Sequence, residues 1–221
     1  MRLGISCADG RAPAEVLHVL RAAGLLAGEL DGVAPPALVQ TASAPEAPRA
    51  VHCWLLAGAR DVLTACERGA LDAGIVGKDV LLESDAEVYE LLDLGVPDDA
   101  LVHAVAVVHA VAGRPVAGTR RARPRVATRY PRLARRYLEE AGLQADVLEL
   151  SAPAARPSPT ASAGVVELRS RLQGPAGAAL AERAVVAAAG ARLVCGPAAR
   201  TLAGAALEDL VARLRAVAVT S

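Results

Sequence analysis

The sequence predicts an α/β fold built on a parallel sheet. Short apolar, strand-like runs alternate with segments in which apolar residues recur at helical spacing along most of the 221 residues. Glycines follow several of the helix-like segments, at the position where helices commonly end. Such alternation is typical of parallel sheets with helices on their faces. Ligands of these sheets bind beyond the carboxyl ends of the strands, so we expect functional residues in the loops that follow predicted strands.

The first half of the chain contains three predicted strands separated by helices. The strands are short apolar runs at residues 3–6, 51–56 and 71–76. The helices are predicted at residues 14–27 and 59–68, and each is followed by a glycine suited to a helix end, Gly28 and Gly69. The third strand leads into a turn around Lys78, which we therefore expect at a carboxyl end of the sheet.

The second half repeats the pattern and adds two irregular stretches. Strands are predicted at residues 101–108, 125–128 and 147–150, and helices at residues 132–140, ending at Gly142, and 205–217. Residues 114–125 are rich in Arg, Gly and Pro, which predicts an exposed basic loop. Residues 151–162 hold three prolines, which exclude a regular helix or a central strand. Thr128 and Arg129 end a predicted strand, as Lys78 does.

The composition narrows the function classes. The chain is 53% hydrophobic but only 2% aromatic, with no phenylalanine, so its core is built from Ala, Leu and Val. The formal net charge of +0 argues against nonspecific nucleic-acid binding, which needs excess positive charge. The four cysteines have no CxxC spacing, which argues against a zinc site or a disulfide framework. The longest apolar stretch, residues 101–112, is too short to span a membrane, and residues 1–6 lack a signal-peptide core. We therefore expect a cytoplasmic protein with neither a nucleic acid nor a membrane as its partner.

Lys78 is the only lysine in the chain. A lysine is a compact point charge on a flexible stem, whereas arginine is a wide planar fork, so the two are not interchangeable at a binding site. Gly74 and Gly77 allow a sharp turn or the close approach of a ligand. Asp79 can cap the following helix, whose first turn attracts anions. The segment is interpreted as a strand end that presents Lys78 to an anionic group; the alternative is a lone surface lysine beside a turn.

Two blocks of the sequence resemble the short-form ATP phosphoribosyltransferases. The first covers residues 60–95, with RDV at 60–62, GALDAGIVGKDVLLE at 69–83 and VYELLDLG at 88–95. The second runs from RVATRYP at 125–131 to ARRY at 134–137. Gly10-Arg11 and ARLV at 191–194 match more weakly. The resemblance covers most of the chain.

The resemblance implies both a fold and a reaction. The fold is the two-domain, type II periplasmic-binding-protein-like arrangement, with a cleft between domains at residues 1–94 plus 181–221 and residues 95–180. The reaction is the first step of histidine biosynthesis, in which ATP condenses with phosphoribosyl pyrophosphate to give phosphoribosyl-ATP and pyrophosphate. A homodimer and a regulatory subunit related to histidyl-tRNA synthetase are further implied partners.

The resemblance also assigns site residues. Arg11 and Lys78 would stabilise the charge that builds on the departing pyrophosphate, together with Mg²⁺ that arrives bound to the pyrophosphate substrate rather than at a protein metal site. The predicted substrate-binding residues are Gly10, Gly77, Asp79, Thr128, Arg129, Glu167, Arg169, Ser170, Arg171 and Gly174.

The phosphoribosyl-binding loop departs from the family pattern. The family has Asp-x-Val-x-Thr-Gly-x-Thr-Leu, whereas residues 165–176 here read VVELRSRLQGPA. Glu167 takes the place of the Asp, no threonine is present, and Pro175 removes an amide donor beside Gly174. Two alternatives to the family reaction follow. One is a catalytically degenerate relative that acts as a nucleotide-binding or regulatory partner, and the other is a transferase with a changed substrate in a specialised nucleotide pathway.

Overall fold

The fold is seen in a computed structural model that describes residues 1–7, 12–26, 35–39, 51–96, 99–106, 124–150, 164–173 and 180–218. The chain divides into two compact units. Unit 1 comprises Met1–Asp98 and Gly190–Ser221, and unit 2 comprises Asp99–Ala189. The chain therefore leaves unit 1 for unit 2 and returns to it.

The described residues form strands and helices in the following order. The strands are β1 (Arg2–Ser6), β2 (Ala37–Val39), β3 (His52–Leu56), β4 (Ala73–Gly77), β5 (Tyr89–Asp93), β6 (Ala100–Ala106), β7 (Arg125–Thr128), β8 (Asp146–Glu149), β9 (Gly164–Leu168), β10 (Leu180–Ala188) and β11 (Ala191–Cys195). The helices are α1 (Ala14–Ala22), α2 (Ala59–Glu67), α3 (Lys78–Glu83), α4 (Pro131–Glu140), α5 (Arg169–Leu172), α6 (Pro197–Leu202) and α7 (Gly204–Ala218).

The described residues of each unit form one sheet, and both sheets are mixed rather than purely parallel. The sheet of unit 1 has the order β2-β3-β1-β4-β11-β5, with β3, β1 and β4 parallel and with β11 antiparallel to β4. The sheet of unit 2 has the order β10-β6-β9-β7-β8, with β9, β7 and β8 parallel and with β6 antiparallel to β9. The expectation of a parallel sheet is thus correct for the central strands and wrong for β2, β6 and β11, which run antiparallel to them.

Helices cover both faces of the sheet in unit 1. On one face, α1 and α7 pack over Leu3, Ile5 and Leu193. On the other face, α2 packs over β1 and β4, where Gly4 and Gly74 leave room for it. A Cβ at Gly74 would lie 2.4 Å from Cγ1 of Val62, so the helix sits directly on the glycine backbone.

Most predicted elements are present with shifted ends. Helix α1 ends at Ala22 rather than at residue 27, because Gly24 adopts a positive φ of 63° and turns the chain. Gly69 and Gly142 have positive φ after α2 and α4, which confirms both predicted helix ends. Trp54 is 39% exposed, since the alternation of β3 buries Cys53 and Leu55 on the opposite face. Gly28 and the irregular stretch at 151–162 lie outside the described residues, as do residues 114–123 of the predicted basic loop.

The boundary between the units differs from the predicted one. The predicted boundary resumes the first domain at residue 181, which lies within β10. The structure pairs β10 with β6 along its length, so it belongs to unit 2 and the return to unit 1 comes at Gly190. None of the helices in the described part of the chain has the length and apolar character that a membrane crossing requires.

Candidate functional site

Lys78 lies at the carboxyl end of β4, as the sequence predicts. It is the first residue of α3, directly after Gly77, which occupies the N-cap position with an extended backbone (φ −68°, ψ 142°). The Lys78 amide donates to the carbonyl of Gly190 at 3.0 Å, which ties the turn to the start of β11. The lysine is therefore held by the backbone at the centre of the unit 1 sheet.

The ammonium of Lys78, at the start of α3, belongs to a chain of four charges, the other three of which lie on β5 and β11. Its Nζ pairs with Oε2 of Glu90 on β5. The other oxygen of that carboxylate, Oε1, lies 3.1 Å from Nε of Arg192 on β11. Arg192 also donates from one terminal nitrogen to Oδ1 of Asp93 at 2.6 Å. Two cations and two carboxylates alternate in this chain, so it carries no net formal charge. We call these four residues the Lys78 network.

The residues around Lys78 correct two sequence interpretations. Asp79 does not cap α3, because Gly77 is the N-cap and no side chain bonds there; Asp79 is instead buried in the first turn. Gly74 does not make room for a ligand, because the space above it is filled by Val62 and by Cys66, whose Sγ would lie 2.9 Å from an added Cβ. Neither of these two features is present in the structure, whereas the predicted position of Lys78 at the strand end is.

A second polar group lies at the carboxyl ends of β7 and β9 in unit 2. Arg129 follows β7, and its terminal nitrogen lies 3.6 Å from Oε1 of Glu167 and 3.3 Å from the hydroxyl of Tyr130. Glu167 is fully buried, and Oε1 also accepts from the Leu168 amide at 3.1 Å. The Nε of Arg129 is buried and makes no hydrogen bond within the described residues. A buried donor without a hydrogen bond costs about 1–3 kcal/mol, so an additional acceptor that bonds to Nε of Arg129 would be stabilising.

Thr128 is occupied by the fold. Its hydroxyl donates to the carbonyl of Val166 at 2.7 Å and accepts from the Tyr130 amide at 2.9 Å, and the residue is completely buried. These bonds tie β7 to β9 and set the backbone direction that carries Arg129 beyond the sheet edge. The structural role of Thr128 is therefore to orient Arg129. A contact between Thr128 and a substrate stays a prediction.

The first residues of the divergent loop already have partners inside unit 2. Asp99 accepts from the Ser170 amide at 3.2 Å and from the Ser170 hydroxyl at 2.5 Å. Arg169 makes a two-pronged pair with Glu182, at 3.0 and 2.9 Å. This pairing holds the pKa of Glu182 below its ordinary value. Arg171 is likewise engaged in an interaction. A carboxylate thus occupies the Ser170 donors that the resemblance assigns to substrate.

Gly10, Arg11 and Gly174 lie outside the described residues, so their predicted roles stay predictions. Sequence reasoning missed Glu90, Arg192 and Asp99 as members of the site. Arg192 carries a signal that could have been used, because it is a charged residue inside the otherwise apolar strand β11. A charge within an apolar strand needs a partner, and that requirement points to an ion pair.

The cysteines offer no nucleophile. All four are free and buried. Burial raises the pKa of the Cys53 and Cys66 thiols to about 12, and it also raises the pKa of Cys7 and Cys195. A thiolate is the reactive form, so these groups are inert at neutral pH.

The described residues do not bring together a group of three His, Cys, Asp or Glu side chains that could hold a metal ion. They do form an open pocket of about 290 Å³ between α4 and β8, lined by Arg135, Leu138, Glu139, Leu143, Gln144, Ala145 and Val147. This pocket adjoins the amino end of β8. It therefore lies at the amino ends of the unit 2 strands, whereas Arg129 and Glu167 lie at the carboxyl ends.

Comparison with known proteins identifies similar sequences. Residues 58–216 match the family described as ATP phosphoribosyltransferase. An ATP phosphoribosyltransferase from Geobacillus kaustophilus is 34% identical over 217 residues, covering 97% of this chain and 98% of the relative. One from Rubrobacter xylanophilus is 40% identical over 154 residues, covering 67% and 64% of the two chains.

Solved structures share the fold at low sequence identity. The ATP phosphoribosyl transferase (HisG:HisZ) complex from Thermotoga maritima matches with a TM-score of 0.67 and 19% identity over the whole of both chains. The GluR0 ligand-binding core with L-glutamate matches with a TM-score of 0.57 and 12% identity, covering 100% of this chain and 92% of that one. The alkanesulfonate-binding protein SsuA from Xanthomonas axonopodis matches with a TM-score of 0.52 and 13% identity, covering 98% and 72%. The fold is of the periplasmic-binding-protein-like type, as expected.

Proposed function

The chain belongs to the ATP phosphoribosyltransferase family, and we propose that Lys78 is its contact for the leaving pyrophosphate. The enzyme is a transferase of histidine biosynthesis that condenses ATP with phosphoribosyl pyrophosphate. The observation that carries the assignment of Lys78 is its position: the single lysine of the chain stands at a carboxyl strand end, within the matched residues, held by Glu90.

The reaction explains why a cation is needed there. N1 of ATP attacks C1 of the phosphoribosyl group, a C–N bond forms, and the bond from C1 to the pyrophosphate oxygen breaks. The electron pair of the broken bond leaves on pyrophosphate, so negative charge grows on that group in the transition state. A fixed ammonium at this point stabilises the transition state more than the ground state. Arg11 is the proposed second cation.

Mg²⁺ is proposed to enter with the pyrophosphate substrate. Magnesium is commonly bound through substrate phosphates, water and one or two carboxylates rather than by a protein cage. In this mode the ion is carried by the substrate, and the protein supplies a cation to the phosphates, as Lys78 does in this proposal. When bound, the ion neutralises developing phosphate charge; the protein's own part is to bind and orient the substrate.

The edge of unit 2 is proposed to hold the phosphoribosyl or nucleotide phosphates through Arg129. Its buried Nε lacks a hydrogen bond among the described residues, and an anionic oxygen would supply the acceptor. Glu167 keeps the guanidinium at the strand end, while Gly77, Asp79 and Thr128 shape the backbone around the two cations.

A second candidate, a relative with an altered phosphoribosyl site, is favoured by the bonds of the divergent loop. Ser170 is bonded to Asp99, Arg169 is bonded to Glu182, and the carboxylate of Glu167 is buried. Binding phosphoribose in the family manner would require these bonds to be exchanged. Such a protein would bind a nucleotide without transferring phosphoribose, or would use a different donor.

The proposed assembly contains a regulatory subunit related to histidyl-tRNA synthetase and a second copy of the chain. The support is the Thermotoga maritima relative of the same fold, which forms a HisG:HisZ complex.

Product formation separates the two candidates. Purified protein with ATP, phosphoribosyl pyrophosphate and Mg²⁺ is expected to form the phosphoribosyl-ATP chromophore when the regulatory subunit is present. The same protein should bind phosphoribosyl pyrophosphate in a calorimeter. Nucleotide binding without product and without phosphoribosyl pyrophosphate binding would instead establish the altered site.

A further inference from the structure

We propose that Arg192 is a positioning residue that acts through Glu90 to hold Lys78 at the pyrophosphate. This inference rests on the proposed function, since it concerns the same lysine. It assigns a task to a buried arginine that the transfer reaction itself does not use.

Arg192 is the fixed member of the Lys78 network. It is buried, and one terminal nitrogen is bonded three ways: to Oδ1 of Asp93 at 2.6 Å and to the carbonyls of Gly190 and Ala191 at 3.0 and 3.1 Å. Its guanidinium is a rigid plane, so anchoring one nitrogen fixes the direction of the remaining N–H bonds. The Nε that faces Glu90 is therefore preset by the backbone at the start of β11.

Glu90 transmits that position to Lys78. Its Oε1 lies 3.1 Å from Nε of Arg192, and its Oε2 pairs with the ammonium. One carboxylate is thus shared by two cations, each on its own oxygen. Glu90 is only partly buried, at 34% side-chain exposure, so without Arg192 it would be free to change rotamer.

The positioned ammonium retains capacity for a ligand. An ammonium has three N–H donors, and within the described residues Lys78 forms one ion pair, with Glu90. Its side chain is 24% exposed, so solvent and a ligand can reach it. A four-carbon stem is flexible, and holding it in one direction before the substrate arrives removes part of the entropy lost on binding.

The alternative role for Arg192 is a purely structural one, in which it joins β11 to β5 and stabilises the fold. The test must therefore distinguish an effect on the position of Lys78 from an effect on stability. A thermodynamic cycle makes that separation. The probe is inorganic pyrophosphate with Mg²⁺, titrated calorimetrically into the full chain with its regulatory subunit. The variants are Arg192→Gln, Lys78→Met and the double substitution. Arg213→Gln is the matched control, because Arg213 also donates to backbone carbonyls of unit 1, those of Ala23 and Gly24, but contacts no member of the Lys78 network.

If Arg192 acts through Lys78, Arg192→Gln weakens pyrophosphate binding about tenfold, equivalent to about 1.4 kcal/mol, and Arg213→Gln leaves it within twofold. In the Lys78→Met background the further loss from Arg192→Gln falls below twofold. Equal losses in both backgrounds would overturn the positioning role and leave the proposed function standing. Unchanged binding by Lys78→Met, or no binding by the unsubstituted protein, would overturn the assignment of Lys78 and this inference together.

Glu90→Gln gives an independent reading if Arg192→Gln lowers the folded fraction. Glutamine preserves the size and one acceptor oxygen but removes the charge shared by the two cations. The positioning role requires Glu90→Gln to weaken pyrophosphate binding only in the protein that retains Lys78, and not in the Lys78→Met variant. Tighter binding would mean that Glu90 merely competes with the ligand for the ammonium, which contradicts the proposal.

Discussion

Replacing Gly196 by alanine tests how closely the carboxyl end of α2 packs against residue 196 within unit 1. Gly196 precedes α6 with an extended backbone (φ −81°, ψ 166°) that alanine also adopts, so the perturbation is steric alone. The added Cβ would lie 1.9 Å from the carbonyl oxygen and 2.7 Å from the carbonyl carbon of Cys66. Both are backbone atoms at the carboxyl end of α2 and cannot rotate away.

The cost follows from the displacement required. Ordinary contact begins near 3.4 Å, so the end of α2 must move by about 1.5 Å, the difference from 1.9 Å. Overpacking typically costs about 1–3 kcal/mol, and we expect the upper end because no flexible side chain can yield. For a chain of this size about 3 kcal/mol lowers Tm by roughly 6–12 °C.

Thermal unfolding followed by circular dichroism measures this loss. The matched control is Gly204→Ala at the start of α7, where nothing lies within 4 Å of an added Cβ. We expect the control to change Tm by no more than about 2 °C, as for other substitutions without a steric consequence. A Gly196→Ala protein as stable as this control would refute the close packing of α2 against residue 196.

Two further predictions concern acid sensitivity and thiol reactivity. Burial raises the pKa of Asp72, but hydrogen bonds from the side chain and amide of Arg2 outweigh it, so the folded pKa lies below the ordinary 3.8. A lowered folded pKa contributes stability that is present above about pH 3.8 and is lost as the pH falls through the folded value. Because the pair is partly exposed, Asp72→Asn should cost about 1 kcal/mol at pH 7, and urea unfolding should find the gap from wild type closing below pH 4; a constant gap would contradict the linkage. The buried thiols should resist iodoacetamide at pH 8 in the folded protein and should all react in guanidinium, as mass spectrometry would reveal; rapid labelling of any cysteine without denaturant would disprove its burial.

The sequence was sufficient for the features that depend on local chemistry. Gly69 and Gly142 end helices because only a residue without a side chain adopts positive φ cheaply. Lys78 lies at a strand end because an apolar run of strand length stops just before it. The same local rules misplaced the end of α1, because the prediction places it at Gly28 whereas the chain turns earlier, at Gly24.

The missed features depend on contacts between distant parts of the chain. Arg192 and Asp93 are 99 residues apart, and their pairing exists because β11 inserts between β4 and β5. Gly74 looked like room for a ligand, since a small residue permits the approach of either a ligand or a helix; the position of α2 decides between them. Asp99 reaches Ser170 only because β6 pairs with β9.

Steady-state formation of phosphoribosyl-ATP by Lys78→Met, with Mg²⁺ and the regulatory subunit, tests the central claim most directly. Methionine keeps the length and apolar stem of lysine and removes the charge. Loss of one preorganised group that stabilises transition-state charge commonly costs about 10²–10³-fold in rate, and we expect a fall of that size in kcat/KM while the Tm stays near that of the unsubstituted enzyme. Turnover within twofold of the unsubstituted enzyme would contradict the account, because Lys78 would then be a turn residue rather than the cation that receives pyrophosphate.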